Sequence, residues 1–312
     1  MECHLTGLKW LQRVLGLLLL WSLAAFAEPL VVVSIKPLHS LVAGVMQGVE
    51  EPTLLVQGGA SPHDYSLRPS EVRAINNAAV VFWIGPELEG FLGKPLDNVK
   101  AKVRAVALAT APGVERLSLR AGGAWQAADA HAHESHGQGA GYDPHSWLDP
   151  VNAIAMVRQI VAVLAEIDAT HRTDYRQNGE RLIGRLEQLN QQLTQTLIPI
   201  KDQAYVVFHD AYQYFERRYG LHSVGSVVLN PEQRPGAKRV SEIQARIRDL
   251  KVRCVFSEPQ FQPTLVEIVI AGSGARRGVL DPLGAEFPAG SEAYFMLLRR
   301  LAADLTGCLG GA

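Results

Sequence analysis

The chain has 312 residues, 47% of them hydrophobic and 20% charged, with a formal net charge of -1. That is a globular composition, with length enough for two cores of ordinary domain size. A charge balance so close to zero excludes the basic footprint of a nucleic-acid binder.

The first segment reads as an export leader rather than as part of the fold. Lys9 and Arg13 flank the start of "LGLLLLWSLAAF", an apolar run too short to span a membrane comfortably. Ala25-Phe26-Ala27 then offers a small-x-small cleavage site, which places the cut after Ala27 and argues against a retained anchor. Cys3 leaves with that leader, so Cys254 and Cys308 remain. In an oxidising compartment two remaining cysteines are expected to pair.

In the mature chain, "LVVVSI" (30–35) is a β-branched apolar run of the kind found in a strand buried on both faces. "TLLVQ" (53–57), "VVFWIG" (80–85) and "VRAVAL" (103–108) read as further strands, with helical stretches after Pro37 and over 69–78. Residues 109–149 break the rhythm; rich in Ala, Gly and His, they read as a long loop. A helix is expected over 151–167, then a longer one over 173–198, where leucines recur near helical spacing. Its length of roughly 39 Å, at about 1.5 Å per residue, suits a bridge between lobes. Strand signals resume at "AYVVF" (204–208), "LHSVGSVVL" (221–229), "VRCVFS" (252–257) and "RGVL" (277–280). The expected architecture is α/β: two lobes, each a mostly parallel sheet flanked by helices, joined by one long helix. The boundaries fall at 28–170, 171–199 and 200–312, with no convincing sequence repeat between the lobes.

Four residues sit where strand candidates give way to loops. His63 follows the second strand, His145 closes the long loop, His209 follows "AYVVF" and Asp281 follows "RGVL". In open parallel sheets, ligands bind beyond the carboxyl ends of the strands. Three imidazoles and a carboxylate, two residues from each lobe, would make a tetrahedral zinc site. Asp64, Asp149, Asp210 and Glu258 are candidates to orient the ligand imidazoles, against cap or surface roles. Trp147, Tyr65 and Phe208 are candidate cleft walls or core. His39 reads as a helix-surface residue, His222 as a strand start, and His171 as a residue capping or flanking the long helix.

Taken together and in order, "GGASPHDYSLRPSE", "YDPHSWLDP", "VVFHDAYQYF", "FSEPQF" and "LDPLG" resemble the substrate-binding proteins of metal-uptake ABC transporters, in their zinc-specific branch. The resemblance runs over nearly all of the mature chain. It implies a periplasmic receptor, monomeric and without enzymatic activity, that binds Zn2+ between its lobes and delivers it to a membrane permease. It implies His63, His145 and His209 as ligands. Some zinc members use a glutamate just before the first histidine; Pro62 stands there in this chain, which leaves Asp281 or water for the fourth position. Manganese-binding relatives carry a carboxylate at the position matching His209, so three histidines argue for zinc over Mn2+ or Fe2+. His131, His133 and His136, within 129–137, resemble the His- and acid-rich loop of zinc-binding relatives, though the loop is short here. A zinc hydrolase is the competing class; the chain has no H-E-x-x-H, and Glu258 is its one candidate base.

Overall fold

The computed structural model describes residues 30–120, 125, 141–228, 231 and 233–310. The expected leader and the histidines at 131, 133 and 136 lie outside the described residues.

The first sheet contains β1 (Val31–Val33), β2 (Thr53–Leu54), β3 (Val80–Trp83) and β4 (Arg104–Ala107), in the order β2-β1-β3-β4 and parallel throughout. The second contains β5 (Tyr205–Val207), β6 (Ser223–Ser226), β7 (Cys254–Ser257) and β8 (Arg276–Val279), in the order β6-β5-β7-β8, again parallel. The two lobes therefore share one topology, although their sequences show no repeat. In both, the apolar runs lie at the centre: β1, β3, β5 and β7 are buried along their whole length. The order reverses between β1 and β3, and between β5 and β7. These crevices are where ligands bind in open α/β sheets.

Helices cover the sheets: α1 (Lys36–Val45), α2 (Pro69–Asn77) and α3 (Gly93–Val99) in the first lobe, and α6 (Gln213–Tyr219), α7 (Ala237–Asp249) and α8 (Thr264–Ile270) in the second. Between them run α4 (Pro150–Ile167) and the 26-residue α5 (Arg172–Leu197), within a residue of the helix expected from the leucine spacing. The buried stripe of α5 is Tyr175, Asn178, Gly179, Leu182, Leu186, Leu189, Leu193 and Leu197, spaced three and four apart along one helical face. Gly179 permits its close approach to α4; a Cβ there would stand 2.4 Å from Val161 Cγ2. The final helix, α9 (Ala293–Leu309), turns back onto α1 and α5. One apolar cluster accordingly runs through both lobes, from Val31 to Leu309.

Cys254 of β7 and Cys308 of α9 form a disulfide, as expected from an exported chain with two remaining cysteines. The long loop is not featureless. It contains a short 3-10 turn at Leu108–Thr110, an antiparallel bridge between Ser118 and Tyr142, and a second 3-10 turn at Ser146–Leu148 that delivers His145. His39 departs from expectation. It is 2% exposed, with Nε2 2.8 Å from the Pro52 carbonyl. Helix α1 is buried on every side, so it has no surface face on which to place a histidine.

Candidate metal centre

The imidazoles of His63, His145 and His209 meet between the lobes, their nearest ring nitrogens all within 4.8 Å of one another. His145 Nε2 lies 3.2 Å from His63 Nε2 and 3.3 Å from His209 Nε2. Donors around a tetrahedral zinc, each about 2.0–2.1 Å from the ion, stand about 3.3–3.4 Å apart along the edge. Both edges that meet at His145 therefore fit such a site.

Carboxylates fix which nitrogen faces the centre. Asp143 Oδ1 lies 2.7 Å from His145 Nδ1 and also accepts the His145 backbone N–H at 3.0 Å. Glu258 Oε1 lies 2.7 Å from His209 Nδ1. Each carboxylate holds the Nδ1–H tautomer and turns the Nε2 lone pair inward, as metal-ligating histidines require. Glu258 occupies the first position after β7 and His209 the second after β5, so this pair spans the crevice of the second sheet. Glu258 is one of the orienting residues expected from the sequence; Asp143 is not among them, although it stands two residues before the ligand in "YDPHSW". A carboxylate two residues before a ligand is a readable signal, but only the turn shows that it folds back. The other candidates do different work. Asp149 caps α4 through the Val151 N–H and pairs with Arg218. Asp210 pairs with Arg120, which also reaches Glu216 at 2.7 Å. Asp64 is exposed.

Charge within the site is uneven. Burial, with His145 and His209 beside it, lowers the pKa of His63 to about 2. Burial, followed by His209, holds His145 well below the usual imidazole range. Burial also opposes charge on His209, but the Glu258 carboxylate outweighs it and raises that pKa. Asp143 is pushed up to about 7 by burial, against the His145 backbone hydrogen bond and the charges of Arg120 and His209.

The structure does not bring Asp281 into the three-nitrogen group. Its carboxylate accepts from Gln260 Nε2 at 2.8 Å, from the Leu283 N–H at 3.0 Å and from the Ala285 N–H. Its neighbours Pro282 and Leu283 do line the cavity around the imidazoles, together with Trp147, Gln260 and Phe261. Of the expected aromatic walls, Trp147 takes that place. Phe208 stacks on Phe261 within the second lobe, and Tyr65 packs on Phe91 while donating to Glu71. His171 flanks the start of α5 with Nδ1 2.8 Å from Asp168, and His222 directly precedes β6.

The family model described as "ZnuA: Zinc-uptake complex component A periplasmic" matches residues 31–308. The chain belongs to this family. It is 44% identical over 304 residues to the high-affinity zinc uptake system protein ZnuA of Brucella abortus (strain 2308), covering 89% of this chain and 91% of the relative. It is 36% identical to the ZnuA protein of Yersinia pestis over 316 residues, covering 96% and 98% of the two chains. Among solved structures, a crystal structure of ZnuA superposes with a TM-score of 0.77 at 26% identity, over 89% of this chain and 98% of that one. Family membership accounts for the shared topology of the lobes and for the histidine cluster at their junction. It also removes the hydrolase reading, since the family consists of transport receptors. Glu258 is correspondingly tied to His209 Nδ1.

Proposed function

We propose that the chain is an extracytoplasmic receptor that captures Zn2+ between its lobes and hands it to the membrane permease of a zinc ABC transporter. Zinc is the cargo. One observation carries the reading: three Nε2 atoms, two of them aimed by carboxylates, converge at 3.2 and 3.3 Å. With their Nε2 lone pairs turned inward, the three imidazoles repel one another unless a proton or a cation lies between them, and a metal cation satisfies all three at once. Imidazole nitrogen favours zinc over manganese among the metals taken up this way.

His63, His145 and His209 are the proposed ligands. Asp281, whose carboxylate accepts from Gln260 and from its own turn, or a water supplies the fourth donor. The receptor acts as a periplasmic monomer after cleavage behind Ala27 and has no nucleic-acid partner. Its working units are 28–170, 171–199 and 200–312. The test is competitive titration of the metal-stripped chain with zinc and manganese. Zinc should bind at one tight site and displace manganese. Preference for manganese would overturn the reading, as would His145→Ala titrating like the parent.

A further inference from the structure

The loop that carries Asp281 is gripped from two sides. From within its own lobe, Asp281 takes the N–H groups of Leu283 and Ala285. From the other lobe, Lys36 Nζ donates to the carbonyl oxygens of Gly284, Ala285 and Phe287, each at 2.8 Å. An ammonium has three donors, and all three are used. Lys36 is only 7% exposed. Burial lowers its pKa, and the Asp281 charge works in the opposite direction. The turn depends on Gly284, whose φ of +66° favours glycine and whose added Cβ would stand 3.2 Å from Phe287 Cδ2.

This loop also forms part of the metal cavity. Pro282 and Leu283 line it, and the Pro282 carbonyl accepts from Trp147 Nε1 at 2.9 Å, two residues beyond His145. The placement of Lys36 follows from topology. It is the third residue after β1, an inner strand of its sheet, and Asp210 is the third residue after the corresponding β5. Both reach out of their own lobe: Lys36 to the 284–287 carbonyls, Asp210 to Arg120.

We propose that Lys36 is an inter-lobe latch: by holding the 281–287 loop against the first lobe, it sets how fast zinc leaves the site. The inference rests on the zinc reading above. A buried ammonium is tolerated only with its hydrogen bonds made. These three acceptors belong to the opposite lobe, so parting the lobes at this seam breaks all three bonds together. The hydrogen bonds of Lys36 go to backbone carbonyls and not to the three ligand imidazoles. Lys36 is a positioning residue, and its signature is a change in release rate beyond any loss of stability.

The experiment measures zinc release into excess chelator from the zinc-loaded chain beginning at residue 28. The variants are Lys36→Met, Lys36→Arg and, as a stability control, Leu186→Ala on the buried face of α5. Lys36→Met should release zinc at least about tenfold faster, a factor equivalent to about 1.4 kcal/mol. Lys36→Arg, which keeps charge and donors, should recover part of that loss. Leu186→Ala should lower the melting temperature yet stay within about twofold of the parent rate. Should Lys36→Met fail to fold, Lys36→Gln, which keeps an amide donor, is read against the same limits. An unchanged release rate in the Lys36 variant removes the latch and leaves the zinc reading standing. Equal acceleration in Leu186→Ala also removes it, by reducing the effect to stability. A parent chain that binds no zinc removes both.

Discussion

Acidification tests the centre most directly, because the structure assigns its protons unevenly. Three ordinary imidazoles titrating near pH 6.5 would together hold about 2.9 protons at pH 5.0, and zinc would expel them all. In this site His63, at about 2, and His145, well below the usual range, are already neutral there. Protons are held by His209, whose pKa is raised, and by Asp143, at about 7. Zinc on His209 Nε2 excludes the first; zinc on His145 Nε2 favours the ionised form of Asp143 and expels the second. The sign follows: both groups load with protons as pH falls through their folded pKa values, about 7 for Asp143 and raised above the usual imidazole range for His209, so affinity declines as the solution is acidified through that range. Between pH 6 and pH 5 two held protons cost at most about 100-fold in affinity, or about 2.7 kcal/mol, whereas three ordinary imidazoles would cost about 500-fold. The assay is calorimetric zinc titration at pH 5.0 in buffers of different ionisation enthalpy, whose slope gives the proton count. The expected count is at most about two, and Asp143→Asn should lower it by about one. A count near three, or one unmoved in Asp143→Asn, would refute this assignment of the protons.

Three further outcomes can be checked. Replacing His63, His145 or His209 with Ala should each weaken zinc binding by at least about tenfold in a competition titration, while Glu258→Gln should cost about 10- to 100-fold by freeing the His209 ring. Reduction of Cys254–Cys308, which are separated by 54 residues, should remove about 4 kcal/mol in the chain-entropy model and lower the melting temperature while zinc binding persists. Deleting residues 129–137 should leave one tight zinc site in the same titration and remove only weaker binding, since none of the three clustered imidazoles lies in that segment.

Much of the fold was legible because its signals are local. Short β-branched apolar runs mark the buried inner strands β1, β3 and β5, and leucines three and four apart mark the buried face of α5. The ligand histidines were legible because each follows a strand signal, the place where open sheets bind. What the sequence left hidden depends on pairings across long separations. Arg120 and Glu216 meet across 96 positions of chain, and Lys36 reaches carbonyls about 250 residues away. The role of Asp281 was open for a different reason. An aspartate followed by a tight turn can tie its own backbone, ligate a metal or do both, since a carboxylate has about four lone-pair sites, and the residue string is the same in each case. The Leu283 and Ala285 N–H groups point back at the Asp281 carboxylate.

The placement of the ligands bears on how such a site lets go of its ion. His63 follows the outer strand β2, His145 follows the opposite outer strand β4 through the long loop, and His209 follows the inner strand β5 of the other lobe. One zinc bonded to all three would pin both sides of the first lobe to the middle of the second. Its bonds are then also bonds between lobes, so separation at that seam strips at least one ligand. The carboxylates divide along the same line: Asp143 moves with His145 and Glu258 with His209. Opening would keep each imidazole correctly oriented for the next ion while removing the third donor. An enzyme's zinc, held for many turnovers, gains nothing from ligands divided between two bodies. A carrier that must bind tightly and then release does, because release then requires a movement of lobes rather than the one-by-one breakage of bonds in a rigid cage.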